Sequence, residues 1–387
     1  MTPAICTLFN AGRIIAGAGS IDRLPELVAD LGARRVLIVS DKGVAAAGLV
    51  DGPRQLLAGA GIEVRVLDDT PPEPEVRHVE AIFAAARAGG GADLIVGIGG
   101  GSAMDVAKIV AVLLAQPVSL ADLVNKAPIA ARGLPTVMIP TTAGTGSEAT
   151  PNAIVLVPED ELKVGIVSPR LVPDAVILDP LLTLTLPPAI TASTGMDALT
   201  HAIECFCSRK GNAFSDLFGL EAIRLIARSI RAAFRNGLDV AARHDMLLGA
   251  FYGGMCIATS STTAVHALAY PLGGKYRIAH GLSNAMLLPF VMEFNLTGSE
   301  DRFAAMARAM ALPVDGLSAR AAGELMIASL YDLNADLGIV SSLREQGIDD
   351  RDLDGLVEGA AKVTRLLDNN PRPMTRADIR AIYQRLM

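Results

Sequence analysis

The chain contains no tryptophan, and aromatic residues make up only 4% of its 387 residues. Cysteine is scarce as well, with Cys6, Cys205, Cys207 and Cys256 as the full complement. Four thiols in a chain of this length do not make a disulfide framework. The Cys205-x-Cys207 pair has no second pair to complete a thiolate metal site and reads as buried or idle thiols. No Lys/Arg cluster stands out and the formal net charge is −7, which argues against a nucleic-acid backbone as partner. Apolar runs such as "IVAVLLA" (109–115) are far too short to span a bilayer. The opening "MTPAICTLFNAGRI" lacks the basic segment and apolar run of a signal peptide. These absences lead us to expect a cytoplasmic protein with neither membrane nor nucleic acid as partner.

Hydrophobic residues reach 51%, much of that alanine, which points to closely packed Ala-rich helices. In the first half, short apolar runs alternate with helix-like stretches. The runs are "RRVLIVSD" (34–41), "GIEVRVLDD" (61–69), "ADLIVGIGGG" (92–101), "PTVMIPTT" (135–142) and "PDAVILDP" (173–180). The helix-like stretches cover 21–32, 73–90 and 102–115. This alternation predicts a parallel sheet covered on both faces, with a hairpin over 152–169 at its edge. After about residue 182 every segment has a 3.6-residue apolar period and none reads as strand. We therefore expect an α/β dinucleotide-type domain over 1–182 and an all-helical domain over 183–387.

Two loops follow apolar strands. In "VGIGGGSAMDVAK" (96–108), Gly99, Gly100 and Gly101 let the backbone approach a ligand, and the helix beyond Ser102 offers N–H groups and a positive dipole end to a phosphate. The spacing is neither G-x-G-x-x-G nor a Walker A loop. The competing reading is a plain turn with Ser102 as N-cap and Asp105 completing a capping box. "PTTAGTGSEAT" (140–150) gathers Thr141, Thr142, Thr145 and Ser147 around two glycines. Two such loops at the ends of parallel strands suggest a shared crevice. Asp41, closing another strand, reads either as an acceptor for an adenosine ribose or as a helix cap.

Histidine is limited to five residues. In "TGMDALTHAIE" (194–204), Asp197 and His201 lie one helical turn apart, on one face. In "HALAYPLGGKYRIAHGLSN" (266–284), Pro271 and the Gly273–Gly274 pair are expected to break the helix, so that His266 ends one helix and His280 begins the next. If the loop folds back, one carboxylate and three imidazoles meet. That donor set suits Fe²⁺ or Zn²⁺.

These motifs, at their order and spacing, resemble those of the iron-containing (group III) alcohol dehydrogenases, of dehydroquinate synthase-like fold. The match covers "SDKGV" (40–44), "GGGSAMDVAK" (99–108), "PTTAGTGSE" (140–148), "TGMDALTHAIE" (194–204) and "HALAYPLGGKYRIAHGLSNAMLLP" (266–289). The resemblance implies a homodimeric, metal-dependent alcohol dehydrogenase that moves hydride between a short alcohol and NAD. It implies Asp197, His201, His266 and His280 as ligands of one divalent metal, Fe²⁺ first and Zn²⁺ as the alternative. It further implies Gly101, Ser102, Thr141 and Thr142 as phosphate contacts, Asp41 as the residue selecting NAD over NADP, and Lys163 as a cofactor contact. Two positions depart from the family's pattern. Tyr270 stands where many members carry a second histidine one turn after the first, and is with His266 the catalytic candidate. "SSTTAVH" (260–266) replaces a glycine-rich apolar stretch and suggests a more polar pocket wall. The alternatives are a member acting on hydroxyacids or oxoacids, such as a transhydrogenase or a maleylacetate reductase-like enzyme, and a dehydroquinate synthase-type lyase. The lyase would need a phosphate pocket, for which Lys275 and Arg277 are the nearby cations.

Overall fold

A computed structural model describes residues 5–158, 162–340 and 342–387. The chain divides into two compact units, Phe9–Leu186 and Pro187–Met387, the second also taking residues 5–8.

The first unit holds strands β1 (Arg13–Ala16), β2 (Arg35–Val39), β3 (Glu63–Leu67), β4 (Leu94–Gly99), β5 (Thr136–Pro140), β6 (Asn152–Val157), β7 (Leu162–Val167) and β8 (Ala175–Leu178). Its helices are α1 (Leu24–Asp30), α2 (Lys42–Ala46), α3 (Asp51–Gly59), α4 (Val76–Ala88), α5 (Gly101–Ala115) and α6 (Leu120–Val124). Six strands pair in parallel in the order β1-β8-β5-β4-β2-β3. Strands β4 and β5 are buried at every residue. Central parallel strands are covered on both faces, which is why they read as unbroken apolar runs. From β2 the chain continues to β3 on one side, whereas β4 pairs with β2 on the other and leads on to β5. The order therefore reverses between β2 and β4, and ligands of open α/β sheets bind at the strand ends beside such a reversal. Asp41 follows β2 there, and the Gly99–Gly101 turn follows β4.

Two strand expectations need correcting. The 152–169 hairpin forms, but β6 and β7 make a separate two-stranded sheet rather than an edge of the main one. Strand β6 is instead held by helix α5, because Ile154 N–H donates to the Asp105 carboxylate at 2.9 Å. Strand β1 was not anticipated: four partly exposed residues, Arg13–Ala16, give no readable alternation, and the pairing with β8 defines them.

The second unit contains α7 (Pro188–Cys207), α8 (Ala213–Arg235), α9 (Val240–Thr259), α10 (Ala264–Tyr276), α11 (His280–Leu296), α12 (Glu300–Ala309), α13 (Ala319–Asp336), α14 (Leu353–Ala361), α15 (Thr364–Leu367) and α16 (Arg376–Leu386). Helix α7 is buried continuously from Gly195 to Cys207, so its polar residues face protein rather than water. Helix α10 runs straight through Pro271, contrary to the expected break, and His266 lies in its first turn rather than at its end. Pro271 lacks the N–H that would bond the carbonyl four residues back, yet the helix continues past it to Tyr276. The helix stops at Arg277, which adopts the left-handed conformation at φ 56°. His280 opens α11, as expected.

Candidate active site and metal centre

Around the reversal point, Gly99 has φ 151° and a side chain there would collide with Ala103 at 2.9 Å and approach Asp41 Oδ2 at 3.2 Å. Only glycine satisfies both conditions. Asp41 caps α2, accepting from Val44 N–H at 2.9 Å through Oδ1, while Oδ2 faces the Gly99 turn. The cap reading is thus correct, and it leaves one carboxylate oxygen toward the turn. Gly100 lies beside Thr142, and Thr141 N–H donates to the Gly99 carbonyl at 3.0 Å, which brings the two loops together.

The capping-box reading of Ser102 and Asp105 does not hold. Helix α5 begins at Gly101, its N-cap is Gly100, and no side chain caps it. Its first turn therefore keeps its N–H groups for an anion. Ser102 Oγ instead accepts from Glu73 N–H at 3.2 Å, and Glu73 pairs with Lys163 at 2.6 Å. Ser147 is turned inward: its hydroxyl donates to Asp105 at 2.5 Å, and its carbonyl accepts from Lys108 Nζ at 2.5 Å. Lys108 is fully enclosed and also donates to the carbonyls of Thr150 (3.0 Å) and Asn152 (2.9 Å). Glu148 is buried nearby, and desolvation pushes its carboxyl up to about 7. Sequence reading gave Lys108 no role, although Asp105 and Lys108 stand one turn apart in the quoted motif.

The helical unit brings the four expected metal donors together. Asp197 Oδ1 lies 3.8 Å from His201 Nε2, 3.9 Å from His266 Nε2 and 3.8 Å from His280 Nε2. All four ligand atoms fall within 4.8 Å of one another. Gly281 makes this possible: a Cβ there would lie 2.3 Å from the Ser193 carbonyl oxygen, so the start of α11 is pressed against α7. The His201 and His266 rings stack at 4.8 Å between centroids. Asn284, one turn after His280, donates to Asp197 Oδ1 at 2.7 Å, and its nitrogen lies 3.2 Å from His266 Nε2 and His280 Nε2. Its buried Oδ1 has no hydrogen-bond partner. Burial opposes ionisation of Asp197, but the three imidazoles and the Asn284 amide outweigh it and hold the carboxyl down at about 2. A carboxylate and imidazole lone pairs that face one point need a donor or a cation between them; here the Asn284 amide donates into that point. A divalent metal with bonds of about 2.1 Å fits this donor set chemically.

Behind His266 stands Glu204, a residue in the quoted "TGMDALTHAIE" to which no role had been assigned. It is 0% exposed, its Oε2 lies 2.5 Å from His266 Nδ1, and its Oε1 accepts from the Thr263 hydroxyl at 2.6 Å and from Val265 N–H at 2.7 Å. The spacing carried a signal, since Glu204 follows Asp197 by seven residues and His201 by three, on the same helix face. The polar wall suggested by "SSTT" is largely self-satisfied. Ser260 donates to the Cys205 carbonyl, Ser261 to the Thr262 carbonyl and Thr263 to Glu204. Tyr270 lies one turn beyond His266, its ring 6.4 Å from that of His280. Burial pushes its phenol up against the opposing charge of Arg365, so the group stays protonated near neutrality. Cys205 and Cys207 are free and buried, and desolvation pushes the Cys207 thiol up to about 12, which removes it from thiolate chemistry.

Comparison with known proteins identifies the family. The model for iron-containing alcohol dehydrogenase matches residues 11–180, and the model for the C-terminal part of the Fe-containing alcohol dehydrogenase family matches residues 191–387. Long-chain-alcohol dehydrogenase 1 of Geobacillus thermodenitrificans is 42% identical over 95% of this chain and 93% of its own. A crystal structure of 1,3-propanediol oxidoreductase superposes with a TM-score of 0.95 at 35% identity, covering 99% of this chain and 100% of the other. Sulfoacetaldehyde reductase of Bifidobacterium kashiwanohense, solved in complex with NAD⁺, superposes with a TM-score of 0.89 at 29% identity, covering 99% of each chain. The protein belongs to the iron-containing alcohol dehydrogenase family, as an NAD-linked oxidoreductase with a buried Asp/His metal-binding group.

Proposed function

We propose that the enzyme interconverts a short alcohol or hydroxy compound and its aldehyde or ketone, with NAD bound by the 1–182 domain and the metal by the 183–387 domain. The observation that carries this reading is the convergence of Asp197, His201, His266 and His280 within 4.8 Å. Fe²⁺ is the first choice of ion and Zn²⁺ the second. When bound, the metal supplies Lewis-acid polarisation of the substrate oxygen and NAD⁺ the hydride acceptor. The chain's own residues do the rest. Asn284 fixes the Asp197 carboxylate by its 2.7 Å hydrogen bond. His266 is one of the four metal ligands. Tyr270, protonated and close to His280, donates a hydrogen bond to the substrate oxygen or relays its proton. The Gly99–Gly101 turn, Ser102, Thr141 and Thr142 hold the pyrophosphate at the start of α5, with Lys163 and Ser147 supporting that loop system. The test is NAD⁺ reduction across a panel of short alcohols, diols and hydroxyacids. Chelator-sensitive turnover with an alcohol supports the reading, and no turnover with any panel member refutes it.

Asp41 discriminates between the dinucleotides by repelling a 2′-phosphate. Asp41→Asn retains the Oδ1 cap and removes the charge. The relative use of NADP⁺ should rise on the order of tenfold, the equivalent of about 1.4 kcal/mol of repulsion. An unchanged NAD⁺/NADP⁺ ratio of kcat/KM would take the selecting role away from Asp41.

One observation favours a second substrate class. The charge of Arg365 acts on the Tyr270 phenol, and a guanidinium in reach of the substrate hydrogen-bonding group would suit a hydroxyacid or oxoacid. Preference for hydroxyacids over neutral alcohols in the same panel selects this reading. The lyase alternative has little support: Lys275 and Arg277 are both exposed, and Lys275 pairs with Asp352.

The assembly proposed is a homodimer. Ile14 on edge strand β1 is 37% exposed and Val167 on the hairpin 62%, and exposed apolar edges are surfaces that a second copy would cover. Light scattering should give twice the 40.2 kDa chain mass; a mass of one chain refutes it. No described helix is long and apolar enough to cross a membrane. We place the enzyme in the cytoplasm, where its free thiols remain reduced.

A further inference from the structure

We propose that Glu204 is a positioning residue of the metal centre: its buried carboxylate, anchored at the start of α10, fixes His266 as the tautomer whose Nε2 is free to bind a divalent cation. The inference rests on reading the four donors as a metal centre and goes beyond it, because no ligand atom of the centre belongs to Glu204.

The argument is one of donors and acceptors. Glu204 Oε1 faces two donors, the Thr263 hydroxyl and Val265 N–H, and Oε2 faces His266 Nδ1. Helix α10 has no side-chain cap from its own N-cap residue, Thr263. Glu204, on α7, supplies that cap from another helix. A carboxylate has no proton to give, so the Nδ1 atom at 2.5 Å must be the donor. The proton is then on Nδ1, and the lone pair on Nε2 faces Asp197 at 3.9 Å. The anion also raises the basicity of the ligand nitrogen, as carboxylate partners of metal-bound histidines do. With Asp197, it brings two negative charges to a buried site that receives a dication.

A residue that only capped α10 would affect stability and leave metal affinity alone. Glu204→Gln separates the two roles. Two donors face Oε1, so the amide oxygen remains there and the NH₂ group turns toward Nδ1. Nδ1 must then accept, the imidazole proton moves to Nε2, and the lone pair aimed at the centre is lost. The helix cap survives.

The experiment is Zn²⁺ competition against a chromogenic chelator, using wild type, Glu204→Gln and Glu204→Asp. The expected result is a 10–100-fold loss of Zn²⁺ affinity in Glu204→Gln, the range typical of outer partners of metal ligands, with the NAD⁺ KM unchanged. Glu204→Asp, which keeps the charge, should recover part of that loss. Wild-type affinity in Glu204→Gln overturns the inference, whereas a wild type that binds no Zn²⁺ overturns the metal-centre reading beneath it. Should Glu204→Gln fail to fold, ¹⁵N-histidine spectra of the Zn²⁺-loaded wild type decide. A protonated Nδ1 on His266 supports the inference, and an unprotonated Nδ1 overturns it.

Discussion

Asp197→Ala should leave a folded protein that retains no metal and turns over at least about 10³-fold more slowly, since a Lewis-acid centre supplies several kcal/mol of transition-state stabilisation. Asp197 is the stringent choice because all three imidazole Nε2 atoms lie within 3.9 Å of its Oδ1. It is also the only anion among the four donors. His280→Ala should give the same pair of losses, because His280 brings the donor from α11 that closes the group. Metal binding to the native state is measurable without any substrate. At a metal concentration of about 100 times Kd the wild type should gain about 2.7 kcal/mol of stability, and neither variant should gain any. A variant that keeps the metal-dependent shift in melting temperature would show that its residue is not a ligand.

Lys108→Ala should be the most damaging single change in the dinucleotide unit. The ammonium is enclosed completely and holds three carbonyls, those of Ser147, Thr150 and Asn152, within 3.0 Å. Removing it leaves those acceptors and the neighbouring Asp105 carboxylate without their cation. Breaking a buried charge cluster from one side typically costs about 3–5 kcal/mol. For a unit of this size that is a fall in melting temperature of roughly 6–20 °C. The loop carrying Thr141, Thr142 and Ser147 leads into this cluster, so the NAD⁺ KM should rise as well. A melting temperature within about 2 °C of wild type would mean that water or a neighbouring side chain replaces the ammonium, and that the loop is anchored elsewhere.

What could be read from the sequence follows physical lines. Strands β2, β4 and β5 were legible because burial on both faces demands unbroken apolar runs. Strand β1 was not, since four half-exposed residues carry no pattern and a partner across the sheet defines them. The hairpin was legible as a hairpin, but not its separation from the main sheet, which depends on the Asp105 carboxylate taking Ile154 N–H. Asp197 and His201 announced themselves by one-turn spacing. His266 was identified on its chemistry but misplaced within its helix, because Pro271 and two glycines suggested a break that α10 tolerates. Ser147 resembled a ligand-binding hydroxyl only until Asp105 and Lys108 were seen to occupy it. Glu204 was only half legible: its spacing places it on the face of Asp197 and His201, but its partners exist only where α7 meets the start of α10.

The measurement that tests the account most directly is the metal content of anaerobically purified protein, together with NAD⁺-dependent turnover before and after chelation. Close to one Fe²⁺ or Zn²⁺ per chain is expected, with turnover lost with the metal and restored when the ion is returned. Undiminished turnover in protein stripped of metal would contradict it, and would reduce the Asp197, His201, His266 and His280 group to a buried polar cluster.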